Sequence, residues 1–184
     1  DFDARGRILF VNNPGGANNI YRMESIFGMG QPCLLSDETN DIVSIAVDRK
    51  RNLLYYATDD HAGTVALKRV NLLMIPESAV WYMDIPETPV FTAITALDVA
   101  DDGSLYIAGV DDNPYSFLAK YNPLVENGVL VGQHFTNNEF FSPLDVMVRG
   151  NSICVLNDAG GNDGFVLLDF NFGPSAAIGG LGFT

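Results

Sequence analysis

The residues best placed to do chemistry are aspartates that fall in short loops rich in Gly and Asn. Asp59 and Asp60 lie in TDDHAGT (58–64), Asp111 and Asp112 in VDDNPYS (110–116), and Asp158 and Asp163 in NDAGGNDG (157–164). Oxygen-rich clusters of this kind suit Ca2+, a hard cation that takes about six to eight oxygen ligands. The same residues are what tight turns require, because Asp and Asn side chains bond their own backbone and Gly tolerates positive φ. None of the loops has the D-x-D-x-D-G spacing of a dedicated calcium loop, which favours the turn reading. The aspartates of different loops could still converge if the fold puts the loops together.

Other constellations are missing. His61 and His134 stand apart, and no G-x-S-x-G elbow, phosphate loop or H-E-x-x-H occurs. Cys33 and Cys154 match no zinc spacing; they could form a long-range disulfide or stay as thiols. A formal net charge of −13 repels phosphate backbones and argues against nucleic acid as a partner, while favouring cationic partners or metal ions. No apolar run approaches the roughly 18 residues a membrane helix needs, so no transmembrane segment is expected. The opening DFDARGRILF shows neither a signal peptide nor an initiator Met, so a processed form or a piece of a longer protein is expected.

The loops belong to a repeat. FDARGRILFVNNPGG from Phe2, VDRKRNLLYYATDD from Val47, VADDGSLYIAGVDDN from Val99 and VMVRGNSICVLNDAGGN from Val146 share one plan. A polar turn leads into an apolar run, then into a loop of Asp, Asn and Gly, then into a second run: NIYRM, VALKRVN, FLAKYN and FVLLDFN. Aligned on Phe10, Tyr55, Tyr106 and Cys154, the units are 45, 51 and 48 residues apart. A period of about 40–50 residues with several short strands predicts a β-propeller. Runs such as LLYYA and LYIAG are apolar on both faces, as expected of strands covered on each side.

The fold expected is therefore all-β: a propeller of four-stranded antiparallel blades, about four of them, either a small ring or an arc of a larger one. It forms a single domain over 1–184, with units of about 1–38, 39–88, 89–139 and 140–184. The second unit should hold strands near DIVSIAV, NLLYYAT, TVALKRVN and AVWYMDI; the third near AITALDV, SLYIAGV, SFLAKYN and GVLVGQHF; the fourth near PLDVMV, SICVLN, FVLLDFN and AAIGGLGF. The first unit lacks a full first strand. On this plan the loops between second and third strands, and their aspartates, share one rim. Trp81 and Tyr82 lie in an outer strand, where they either pack on a neighbouring blade or anchor a protein partner.

The units resemble those of NHL-type propellers and, more loosely, the YWTD propellers of lipoprotein receptors. Asp101, Gly103, Leu105, Tyr106, Ile107 and Asp111 carry the first resemblance; Asp48, Leu54, Tyr55, Thr58, Asp59, Arg69 and Asn71 carry the second. The second unit reads Tyr-Tyr-Ala-Thr-Asp rather than Tyr-Trp-Thr-Asp, and Cys154 stands at an aromatic position. Gluconolactonase-like and regucalcin-like propellers hold an axial metal with a Glu, an Asn and an Asp. No Glu stands at the start of a first strand here, so that carry-over fails at its first ligand. Such folds host binding, scaffolding and hydrolysis alike. The function expected is a non-enzymatic interaction or scaffolding module with other protein subunits as partners, extracellular or periplasmic. A metal-dependent lactonase, or a ligand-binding propeller using the axial funnel, is the alternative.

Overall fold

The structure is a computed structural model. It describes the backbone of residues 1–12, 18–23, 33–38, 40–62, 64–73, 80–83, 91–111, 116–124, 131–135, 143–158, 164–169 and 174–178. All regular structure among them is β, and none contains a helix long and apolar enough to cross a membrane. The chain divides into two compact units, Asp1–Ile85 and Pro86–Thr184.

The first unit holds β1 (Ile8–Asn12), β2 (Asn18–Met23) and β3 (Cys33–Glu38) in one antiparallel sheet. β4 (Asp41–Asp48), β5 (Leu53–Asp59), β6 (Val65–Asn71) and β7 (Val80–Met83) form a second sheet. The second unit holds β8 (Phe91–Val99), β9 (Leu105–Asp111), β10 (Ser116–Tyr121) and β11 (Val131–Phe135). Beside it lie β12 (Pro143–Arg149), β13 (Ser152–Asn157), β14 (Gly164–Leu168) and β15 (Pro174–Ile178). Each sheet is a meander in chain order, as short polar turns between apolar runs dictate. Among the described residues a strand overlaps each segment expected in the second, third and fourth units; of the last, AAIGGLGF, only 176–178 are described, and 179–183 lie outside the described residues.

The turn that enters each unit's apolar run carries one residue in the left-handed region. Gly6 (φ 74°), Asn52 (φ 55°), Gly103 (φ 92°) and Gly150 (φ 57°) hold these positions. They are Gly and Asn because a β-carbon is penalised there, least so for Asn. The repeated polar turn is thus a backbone requirement. An aspartate beside it often ties it down. Asp3 Oδ1 accepts from the Arg5 and Arg7 backbone nitrogens at 2.9 Å each, and Asp102 Oδ1 accepts from Ser104 N at 2.8 Å.

In each unit one sheet face packs on the next sheet. Leu9 and Ile20 of β1–β3 meet Leu54, Tyr56 and Val70 of β4–β7. Tyr106, Ala108 and Leu118 of β8–β11 meet Val146, Val148, Ile153 and Val155 of β12–β15. Strand β5 is buried without a break from Leu54 to Thr58, on both faces. Strand β13 alternates instead: Ile153, Val155 and Asn157 are buried, while Cys154 and Leu156 are half-buried. The sequence run ICVL therefore differs from LLYYA; its second face is not fully covered. The ladders also correct the alignment of the first unit. Leu9, not Phe10, stands opposite Arg22, as Tyr55 stands opposite Arg69 and Tyr106 opposite Lys120.

Candidate interaction site

The hairpin β4–β5 places Asp41, the first residue of one strand, directly opposite Asp59, the last of the other. Like charges across an antiparallel pair repel. The loop that follows answers this. Asp59 Oδ1 accepts from His61 N at 2.7 Å, which turns the chain so that His61 adopts φ 57°. His61 Nε2 then reaches Asp41 Oδ2 at 2.6 Å. Asp60 Oδ1 accepts from Ala62 N at 2.8 Å and Thr64 N at 2.9 Å, closing the loop onto β6. Three carboxylates and one imidazole are thereby fixed at one end of the β4–β7 sheet, with the His61 side chain 68% and the Asp41 side chain 47% exposed.

The local charge shapes the titration. The bond to Asp41, its charge and that of Asp59 hold the His61 imidazole above its ordinary value, favouring imidazolium. The Thr64 and Ala62 amides hold the Asp60 carboxyl below the usual carboxylate range. With His61 protonated the cluster carries about two net negative charges, and with His61 neutral about three, so it attracts a further cation at its open side.

The other expected site residues are placed as follows. Asp111 ends β9 opposite Phe91, and its side chain lies outside the described residues. Asp112 and Asp163 lie wholly outside them. Asp158 follows β13 and is exposed. Trp81 and Tyr82 sit in β7 opposite Arg69 and Lys68, with side chains outside the described set. The structure thus gathers Asp59 and Asp60 in one loop and adds Asp41 and His61 to them. Asp41 was missed from the sequence; its signal was the hairpin register, since DIVSIAV begins and LLYYATD ends with an Asp on either side of one turn. Among the described residues no three His, Cys, Asp or Glu side chains are arranged to hold a metal ion. Cys154 carries a free, half-buried thiol, its pKa pushed up by burial and by Asp145.

A second set of aspartates joins sheets rather than facing outward. Asp98 Oδ2 accepts from Val148 N at 2.6 Å and from Arg149 Nη1 at 3.1 Å, tying β8 to β12. In the first unit Asp1 Oδ2 accepts from Val47 N at 3.0 Å, and Asp1 Oδ1 from Arg49 Nη2 at 3.3 Å. A backbone amide and an arginine on the following sheet bind one carboxylate in both places.

No protein-family model matches the chain, and no curated protein does. Solved structures do. TolB from Acinetobacter baumannii superposes with a TM-score of 0.66 at 13% identity, over 94% of this chain and 40% of that one. A provisionally named 6-phosphogluconolactonase from Bacteroides uniformis superposes with a TM-score of 0.62 at 11% identity, over 98% of this chain and 52% of that one. The chain spans about half the length of these proteins or less. At such identities the likeness concerns the fold alone, and it bears out a propeller-like, all-β fold; no family match supports the NHL or YWTD type.

Proposed function

We propose that the chain is a propeller of four-stranded blades, related in plan to the NHL and YWTD types. In this reading it acts as a non-enzymatic protein-interaction module in an extracellular or periplasmic assembly. The observation that carries the reading is the solvent-accessible cluster that Asp60 and His61 of the β5–β6 loop form with Asp59 and Asp41 at the adjoining ends of β5 and β4. Backbone amides hold the Asp59 and Asp60 carboxylates in place, and His61, which is itself titratable, holds Asp41. A fixed acidic surface on a chain of net charge −13 recruits basic partners quickly and with strong salt dependence.

The test is a pull-down from native extract with the chain as bait, beside an Asp41→Asn, Asp59→Asn, Asp60→Asn variant of unchanged circular dichroism. The expected result is a partner that elutes as salt rises and is lost with the variant. A partner retained equally by both baits, or no partner at all, would refute the acidic loop as the binding surface.

A further inference from the structure

We infer that the β4–β5 turn, together with the adjoining turn that precedes β1, docks a short carboxylate-rich segment of a partner protein. The inference is independent of the acidic loop. Of the chain's ten Lys and Arg residues, four exposed ones fall in these two turns: Arg49, Lys50 and Arg51 in the first and Arg5 in the second. Arg49 Nε donates to the Phe2 carbonyl at 3.0 Å, which sets the two turns side by side within the first unit. The acids of these turns lie beneath the cations. The Asp48 side chain is 3% exposed and that of Asp3 2%, against 55% for Arg49 and 35% for Arg51. Asp1, half-covered, is already bound by Arg49 and the Val47 amide. A positive surface thus stands on a chain of net charge −13.

Three successive cations are more than the fold asks for. The turn needs a residue at positive φ, which Asn52 supplies, and the corresponding turns of the second unit meet that need with Asp101-Asp102-Gly103 and Arg149-Gly150-Asn151. The carboxylate latch between sheets takes one arginine, Arg49 here and Arg149 in the second unit. Neither requirement accounts for Lys50 or Arg51. Arg51 is held in a fixed pose: Asp48 Oδ1 accepts from Arg51 N at 3.0 Å and Asp48 Oδ2 from Arg51 Nη1 at 2.8 Å. A guanidinium presents a rigid fork of donors that suits a carboxylate, and fixing it beforehand lowers the entropy cost of binding.

The chemistry of the partner follows from charge and extent. Strand β5 spans seven residues, so the basic turn and the acidic loop at its other end lie about 20 Å apart at about 3.3 Å per residue. That exceeds the roughly 8 Å screening length of physiological salt, so the acids of the loop do not cancel the cations of the turn. The favourable region is two turns wide. A nucleic acid or an anionic membrane would reach past it to the acids of the rest of the chain, whereas a short acidic segment ends within it.

The test is an NMR titration at low ionic strength with a blocked hexaglutamate peptide, repeated with hexathymidylate. The peptide is expected to move the amides of residues 5–7 and 49–52, and added salt to reverse the shifts. Lys50→Glu is expected to weaken binding by roughly fivefold or more, and Lys50→Glu with Arg5→Glu to abolish it. Leu144→Glu with Phe165→Glu changes the net charge as much as Lys50→Glu does, but at exposed positions of the second unit, and should leave binding unchanged. No binding, shifts centred elsewhere, an equal loss in the Leu144 and Phe165 variant, or an oligonucleotide bound as tightly as the peptide would each overturn the inference. So would self-association of the wild-type chain that Lys50→Glu removes, since the occupant would then be a second copy.

Discussion

Replacing Asp98 by Ala tests whether a single carboxylate holds two sheets together. The Asp98 side chain is 17% exposed, and its Oδ2 lies 2.6 Å from the Val148 amide of the neighbouring sheet. A hydrogen bond to a charged group contributes about 1.5–3 kcal/mol, and a buried amide left without an acceptor costs about 1–3 kcal/mol. These overlap, since they describe one bond from two sides. The ion pair with Arg149 adds little, because that side chain is 66% exposed and such pairs are worth about 0–1 kcal/mol. The expected loss is about 2–3 kcal/mol for Asp98→Ala and roughly half that for Asp98→Asn, which keeps a neutral acceptor. Arg149→Ala should cost under about 1 kcal/mol. Urea unfolding followed by tryptophan fluorescence and far-ultraviolet circular dichroism reads all three, with the slope checked for change. If Arg149→Ala costs as much as Asp98→Ala, the carboxylate acts through the ion pair and the backbone latch is wrong.

Three further outcomes are expected. His61 has a folded pKa raised above its reference value of 6.5, so its pair with Asp41 favours the fold fully below about 6.5; this contribution fades as pH rises through the raised value. An NMR titration should find the His61 midpoint above that of a free imidazole and returned toward it by Asp41→Asn; an unmoved midpoint would remove the pair. Gly109→Ala should destabilise by about 1–3 kcal/mol or more, because the new β-carbon would meet the Ala93 carbonyl where the β8–β9 ladder is irregular; a neutral urea midpoint would refute that close approach. The Tyr106 hydroxyl, with its pKa pushed up to about 12 by burial, should stay protonated in an ultraviolet titration to pH 11, and a normal phenolate signal from it would show the site to be wet.

Much of this was legible because strand period, turn chemistry and repeat are local. Val47 to Asp59 reads as strand, turn and strand from its residue types alone, and Asn52 at positive φ is the turn residue that pattern needs. The candidate site was half legible. Asp59 and Asp60 stood out by type, but their bonds to His61, Ala62 and Thr64 depend on loop geometry. The Asp41–His61 contact spans 20 residues and follows only once the β4–β5 register is known. Burial of a strand's second face was also beyond reach, since ICVL and LLYYA look equally apolar and differ only in what covers them.

The latches show a second period that reading single units concealed. Asp1 and Asp98 are 97 residues apart, and the arginines they bind, Arg49 and Arg149, are 100 apart, or about two units. At the intervening positions the ladders place Ala46, opposite Tyr55, and Met147, opposite Cys154. Neither side chain can accept from an amide. Within each of the units Asp1–Ile85 and Pro86–Thr184 one carboxylate latches one sheet to the other.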